Sequence, residues 1–387
     1  MLPYFSERWH NPSSIYVEAQ RAAQALDESR ATIARCVGAQ PDEIVFTSGG
    51  SESDSLALRG VLAASTRRGR HLVTTSVEHH AVLDTAEQLE RDGVAEVTIV
   101  DPGADGRVDP ATIAAAVRDD TVIVSVMHAN NEVGALNDIA EIARRVRERN
   151  PRAVVHTDAV QSTAHLGVHV DRLGVDLMTF TAHKLYGPRG VGALYVRAGT
   201  PLAPQILGGG QERRLRAGTE NTPAIVGFAR AMVLAAERRE ADLAHERALQ
   251  MRLMDELPRR VPMLAITGPR RVEDRLPGSV SCVVAFVEGE SVLLALDLAG
   301  IAASSGSACT TGSVEPSHVL VGMAMPPELA RGSLRFTLGR ENTEADVERL
   351  LDVLPPIVER LRRLSPVPTV EAPAAYRPWL DAEAVRG

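Results

Sequence analysis

The sequence predicts an α/β fold: a large domain with a mostly parallel mixed sheet covered by helices, plus a smaller α+β domain. Three observations carry this. Strand-like apolar runs alternate with helix-like stretches through the first half of the chain, the pattern of a sheet with helices on both faces. The length of 387 residues exceeds what one small core needs. After a long Ala-, Glu- and Arg-rich helical stretch, from Asn221 to Leu257, the order changes to fewer strands and longer helices.

In the large domain, "EIVFTS" (43–48) precedes a helix over 52–64, and "HLVTTS" (71–76) precedes one over 81–91. "AEVTIV" (95–100), "TVIVSVMH" (121–128) and "AVVHTD" (153–158) keep the rhythm. "VDLMTFTAH" (175–183) and "GVGALYVR" (190–197) are joined by so short a loop that they predict an antiparallel pair. Beyond Pro262, "SVSCVVAF" (279–286) and "SLRFTLG" (333–339) predict strands, and 290–300 and 343–364 predict helices. The expected domains are 15–261 for the large one, with 1–14 and 262–387 forming the small one.

Composition is that of an ordinary globular protein, with 44% hydrophobic and 24% charged residues. A net charge of −8 argues against a general nucleic-acid surface. No apolar run approaches membrane-spanning length, and the start lacks a basic then apolar leader. Cys36, Cys282 and Cys309 are too widely spaced for a disulfide framework or a paired metal motif. A reducing, cytoplasmic setting is expected. Cys36 and Cys282, in helix and strand patterns, are expected in the core.

The chain contains one lysine, Lys184, in "TFTAHKLYGPRG"; every other basic residue is arginine. A solvated face accepts either residue. Covalent amine chemistry accepts only lysine. The neighbours at other strand ends weigh on that choice, because open α/β sheets bind ligands beyond the carboxyl ends of their strands. "TSGGSES" (47–53) suits an anion at a helix start, with Gly49, Gly50 and Ser51, although a capped helix start reads equally well. "VEHHAVLD" places His79 and His80 at another helix start. In "MHANNEVG", Asn130 and Asn131 suit an Asx turn or amide donors to a ligand. In "HTDAVQS", Asp158 ends an apolar strand and so needs a partner, with Gln161 one turn on. An anion cradle, a buried carboxylate, amide donors and one lysine are together the parts that pyridoxal phosphate requires.

The sequence closely resembles the cysteine desulfurases of the Nif/Isc type, within the aminotransferase class V superfamily. The resemblance runs from "NPSSIY" (11–16) to "SLRFTLGR" (333–340) and the helix beyond. Its motifs here are "HKLYGPRGVGALYVR", "TSGGSESDSLAL", "NNEVG", "DAVQS", "GTEN" and the segment "SSGSACTTGSVEPSHVL" (304–320). It implies the pyridoxal-phosphate fold type I and a homodimer. Lys184 would carry pyridoxal 5'-phosphate. Asp158 would pair with the pyridine nitrogen and Gln161 with the phenolic oxygen, and His79 would stack on the ring and assist proton transfer. Gly50, Ser51, Thr181 and His183 would hold the phosphate, with Thr219 from the second subunit. Asn131 and Arg335 would hold the substrate carboxylate. Cys309 would take sulfur from L-cysteine as a persulfide, releasing alanine. Its small polar surroundings, with Gly306 and Gly312, predict a loop that packs no core.

The commonest family pattern has Ala-Thr at Gly50-Ser51, Ser-Gly at Thr181-Ala182 and lysine at His80. The first two changes keep a hydroxyl. The expected recipient of the sulfur is an acceptor protein, an iron–sulfur scaffold or a sulfur carrier such as those of tRNA thiolation. A selenocysteine lyase or another class V enzyme is the alternative.

Overall fold

The computed structural model describes residues 1–306, 315–364 and 372–380. The chain divides into two compact units. The first comprises 1–100, 108–129 and 137–239, and the second 101–107, 130–136 and the described part of 240–387. These units part earlier than the expected boundary, inside the helix Thr222–Arg260, where no change of composition marks a break. Residues 1–14 fall in the first unit. There Met1 packs so closely on Gly227 that a Cβ on the glycine would meet its sulfur at 2.5 Å.

The first unit is built on a seven-stranded sheet. Its strands are β1 (Ile44–Thr47), β2 (His71–Thr75), β3 (Glu96–Val100), β4 (Thr121–Ser125), β5 (Val154–Asp158), β6 (Leu177–Thr181) and β7 (Gly192–Val196). Their spatial order is β1-β7-β6-β5-β4-β2-β3. β3, β2, β4, β5 and β6 are parallel, while β7 runs antiparallel to both β6 and β1. The carboxyl ends of six strands therefore share one rim with the amino end of β7. The interior strands β2, β4, β5 and β6 are buried along their whole length, and β7 all but its last residue, as expected where helices cover both faces. β3, at the edge, is largely half-exposed.

The helix Gly50–Ala64 shows how one face is sealed. Leu56, Ala57, Leu58, Val61 and Leu62 recur at helical spacing and pack with Val45, Leu72, Ile123, Val154, Leu177 and Leu194 of the strands. Each such leucine contributes roughly 1.5–3 kcal/mol by leaving water.

In the second unit β8 (Leu264–Thr267), β9 (Ser279–Val284) and β10 (Ser333–Thr337) form an antiparallel sheet in the order β10-β9-β8. Leu253, Leu257, Val280, Val284, Phe336, Leu350 and Leu354 are in its core. Cys282 is fully buried there, as expected. Cys36 is not. It lies half-buried between exposed Arg35 and buried Val37 on the helix Val17–Val37, at the margin of the apolar face.

Candidate active site

β1 stops at Thr47 and the next helix starts at Gly50. The loop between them is tied down locally. The Thr47 hydroxyl donates to the Gly49 carbonyl and pairs with Ser53 Oγ at 2.7 Å. Glu52 accepts from the Ser48 amide at 2.7 Å and from Arg216 Nε at 2.8 Å. Burial pushes the Glu52 carboxyl up, but Arg216 and Ser48 together bring it below its usual range. A Cβ on Gly50 would lie 2.8 Å from Val160 Cγ2, so this helix start sits against the turn after β5. The first amides of a helix have no partner within it and carry partial positive charge. Ser51 is exposed beside them.

β6 stops at Thr181. Its hydroxyl donates to the Val191 carbonyl at 2.9 Å and lies 3.2 Å from His183 Nδ1. The single helical turn Ala182–Leu185 follows and holds Lys184 exposed. The turn closes through left-handed Tyr186 (φ 61°) and Gly187, whose amide donates to the Ala182 carbonyl. A Cβ on Gly187 would meet that oxygen at 2.8 Å. Burial, then the charges of Lys184 and Arg189, hold His183 below the usual histidine range.

Asp158 ends β5, next to β6. Its Oδ1 accepts from the Val160 amide at 2.8 Å. Burial raises its pKa to about 6, against the pull of that amide and of the Lys184 charge. His79, after β2, caps the helix His80–Arg91. Its Nδ1 accepts from the Ala81 amide at 3.0 Å, which assigns the ring proton to Nε2. Gln161 is half-buried and makes no capping bond to the turn it precedes.

Two carboxyl groups near Asp158 went unnoticed in the sequence. Glu78 is fully buried, accepts from the Met127 amide and the Thr75 hydroxyl, and is pushed up to about 8 by burial. Asp54 is raised well above the carboxylate range by burial and by the charges of Asp158 and Glu78. Its Oδ1 lies 3.6 Å from His156 Nε2 and lacks a hydrogen-bond partner among the described residues. His156 lies between Ser125 and Thr179 hydroxyls, with its pKa lowered to about 3 by burial. It therefore supplies no balancing charge. The rim thus gathers two further buried carboxyls, Asp54 and Glu78, near Asp158, and a cationic ring nitrogen would offset the Asp158 charge. That donor set, with the helix start and a lysine one strand away, fits pyridoxal phosphate.

Thr219 is exposed on the segment 208–221. The segment is anchored upstream by Glu212, which takes two hydrogen bonds from Arg30 at 2.6 and 2.7 Å and one from the Phe46 amide. Glu212, Arg213 and Arg214 are all left-handed, a backbone that costs non-glycine residues energy.

In the second unit, Asn130 makes the Asx turn. Its Oδ1 accepts from the Glu132 and Val133 amides, both at 2.9 Å. Asn131 and Arg335 come together, with Arg335 Nη1 donating to the Asn131 carbonyl at 2.8 Å. Arg335 Nε is buried and lacks a hydrogen-bond partner among the described residues, a donor suited to an incoming anion. Cys309 lies outside the described residues. Among the described residues there is no cluster of potential metal ligands and no helix long and apolar enough to cross a membrane.

The family model for aminotransferase class-V matches residues 1–350. The chain belongs to that family. Within class V it groups with cysteine desulfurases. It is 45% identical over 366 residues to the cysteine desulfurase IscS of Dictyoglomus turgidum, covering 95% of this chain and 92% of that protein. It is 43% identical to the cysteine desulfurase IscS of Methanosarcina thermophila, covering 97% and 91%. A solved NifS-like protein superposes with a TM-score of 0.87 at 34% identity, covering 93% of this chain and 94% of that one. DndA from Streptomyces lividans does so at 0.74 and 32%, covering 87% and 94%. The superposition on the NifS-like protein and the family match bear out the expected fold for this chain.

Proposed function

We propose that this class-V chain is a pyridoxal-phosphate-dependent cysteine desulfurase, moving sulfur from L-cysteine to Cys309 and then to an acceptor protein. The observation that carries the reading is the buried Asp158 carboxyl at one strand end with the chain's sole lysine, Lys184, just past the next. When bound, pyridoxal phosphate supplies an electron sink beside the substrate Cα.

The residues divide the remaining work. The Lys184 amine would hold the cofactor and, when free, would take the substrate Cα proton. Asp158, ionised near neutral pH, keeps a proton on the ring nitrogen and Gln161 meets the phenolic oxygen. His79, with its proton on Nε2, would lie against the cofactor ring and assist proton movement. The helix start at Gly50 and Ser51, with Thr181 and His183, holds the phosphate. Thr219 completes that site for the second subunit of a homodimer. Asn131 and the Arg335 fork orient the substrate carboxylate. The Cys309 thiolate attacks the substrate sulfur: an S–S bond forms, the C–S bond breaks, and its electron pair stays with the carbon skeleton. That skeleton takes up protons and leaves as alanine. Free thiols of this kind persist in a reducing cytoplasm, where an iron–sulfur scaffold or sulfur carrier would collect the sulfur.

The test is peptide mass spectrometry of the purified, cofactor-loaded protein after addition of L-cysteine, with alanine assayed in parallel. One added sulfur on Cys309 and matching alanine are expected. Bound cofactor with neither product would overturn the reading, and activity on selenocysteine alone would replace it with a lyase.

A further inference from the structure

Glu132 follows the substrate-site asparagine in "NNEVG", and no role was expected of it. It is 4% exposed, and burial raises its pKa to about 7, against the pull of the Ser317 hydroxyl and the Arg335 charge. A carboxyl placed so deeply costs stability unless its hydrogen bonds are specific. Here the carboxyl lies against two points of the chain and is hydrogen-bonded to one of them. Glu132 Oε2 accepts from Ser317 Oγ at 2.5 Å, and Ser317 in turn caps the helix His318–Gly322. A Cβ on Gly306 would lie 2.6 Å from the same Oε2 and 3.0 Å from Ser317 Cβ. Gly306 is held from its other side, its amide donating to Ser333 Oγ at 3.3 Å.

Residues 306 and 317 flank the segment that carries Cys309. A single carboxyl oxygen therefore meets the chain where it enters that segment and where it leaves. The geometry points to Glu132 as a positioning residue that anchors one stem of the Cys309 segment through Ser317 and packs against the other at Gly306, and so sets how readily the thiol reaches the substrate sulfur. This rests on the reading of Cys309 as the sulfur acceptor. Asn130 fixes Glu132 in turn, its Oδ1 accepting from the Glu132 backbone amide. Arg335, bound to the Asn131 carbonyl, links the same strut to the substrate-carboxylate site. Gly306 is required because any side chain there would displace the Glu132 carboxyl.

The experiment compares the cofactor-loaded wild type with Glu132→Ala, Glu132→Gln and Ser317→Ala. Rapid-quench mass spectrometry gives the rate of sulfur transfer to Cys309. The cysteine-induced change in cofactor absorbance gives substrate binding. Alkylation of Cys309 by iodoacetamide, without cysteine, reads the thiol's accessibility. Glu132→Ala is expected to slow sulfur transfer about tenfold or more and to change the alkylation rate, with substrate affinity within about twofold of wild type, since 1.4 kcal/mol of lost positioning is a factor of ten. Glu132→Gln, whose carbonyl can still accept from Ser317, should recover most of the rate. Ser317→Ala, a milder change to the fold, should resemble Glu132→Ala. Wild-type transfer and alkylation rates in Glu132→Ala and Ser317→Ala, or equal losses of binding and transfer, would overturn the inference. Absence of any Cys309 adduct in the wild type would overturn the desulfurase reading itself, and this inference with it.

Discussion

Gly192 lies against the backbone of Gly49: a Cβ on Gly192 would sit 2.7 Å from the Gly49 carbonyl carbon. Gly192 is also the residue of β7 that pairs with both Thr47 and Thr181. The antiparallel strand thus meets the rim without a side chain, and the helix start at Gly50 takes the space. Gly192→Ala should push this loop away from the sheet. We expect the cofactor-free protein to fold but to bind pyridoxal phosphate about tenfold or more weakly, measured by fluorescence titration. Unchanged affinity would remove the helix start from the phosphate site.

Asp158 should make the cofactor-free protein less stable as pH rises. Its folded pKa, about 6, lies above the ordinary 3.8. Between those values the folded state binds more protons than the unfolded state, so stability falls with rising pH and levels off above about 6. Asp158→Asn should remove the Asp158 share of that slope, leaving those of Glu78 and Glu132, and raise stability at pH 7 by up to about 3 kcal/mol. The same variant should lose most of the stabilisation that bound pyridoxal phosphate confers. Calorimetry of both forms across pH 4–8 separates the two effects.

Lys184→Arg keeps the charge and should still lose turnover and the yellow colour completely, because a guanidinium forms no covalent link to the cofactor. Retained colour after desalting would place the attachment elsewhere.

Cys309→Ser should give the wild-type spectral response to L-cysteine and no sulfur adduct. Wild-type adduct yield in this variant, on any residue, would refute the assignment.

Glu212→Ala leaves the Arg30 guanidinium buried against Phe46 without its carboxylate. The expected cost is roughly 3–5 kcal/mol, visible as a lower urea midpoint. The left-handed run Glu212–Arg214 should relax with it, and the Thr219 segment should become a site of early proteolysis.

The large-domain strands were legible because each is a short run dominated by β-branched, aliphatic or aromatic residues and bounded by turns, and a strand buried on both faces needs no alternation. β6 and β7 were legible as antiparallel because too few residues separate them for a crossover. β8 was not: four residues after a proline carry no pattern of their own, and "LAIT" becomes a strand only by pairing with β9. The lysine, the aspartate and the asparagine pair could be found because each stands at a strand end in a distinctive motif. Asp54, Glu78 and Glu132 could not. Single acidic residues near helix starts and turns read as solvated, and only the tertiary fold buries them. The partition of the chain inside Thr222–Arg260 was hidden for a related reason, since a continuous helix offers no local mark of where one core ends.

The exposed turn that holds Lys184 has a practical consequence. Apart from the amino terminus, its side chain is the only primary amine in the protein. Acylating reagents, amine cross-linkers and lysine-directed enzymatic modification, which elsewhere scatter over a protein surface, here converge on one atom. Apart from reaction at the amino terminus, such a label reports on that turn alone, and occupancy of the turn by cofactor should protect the remainder of the molecule from it.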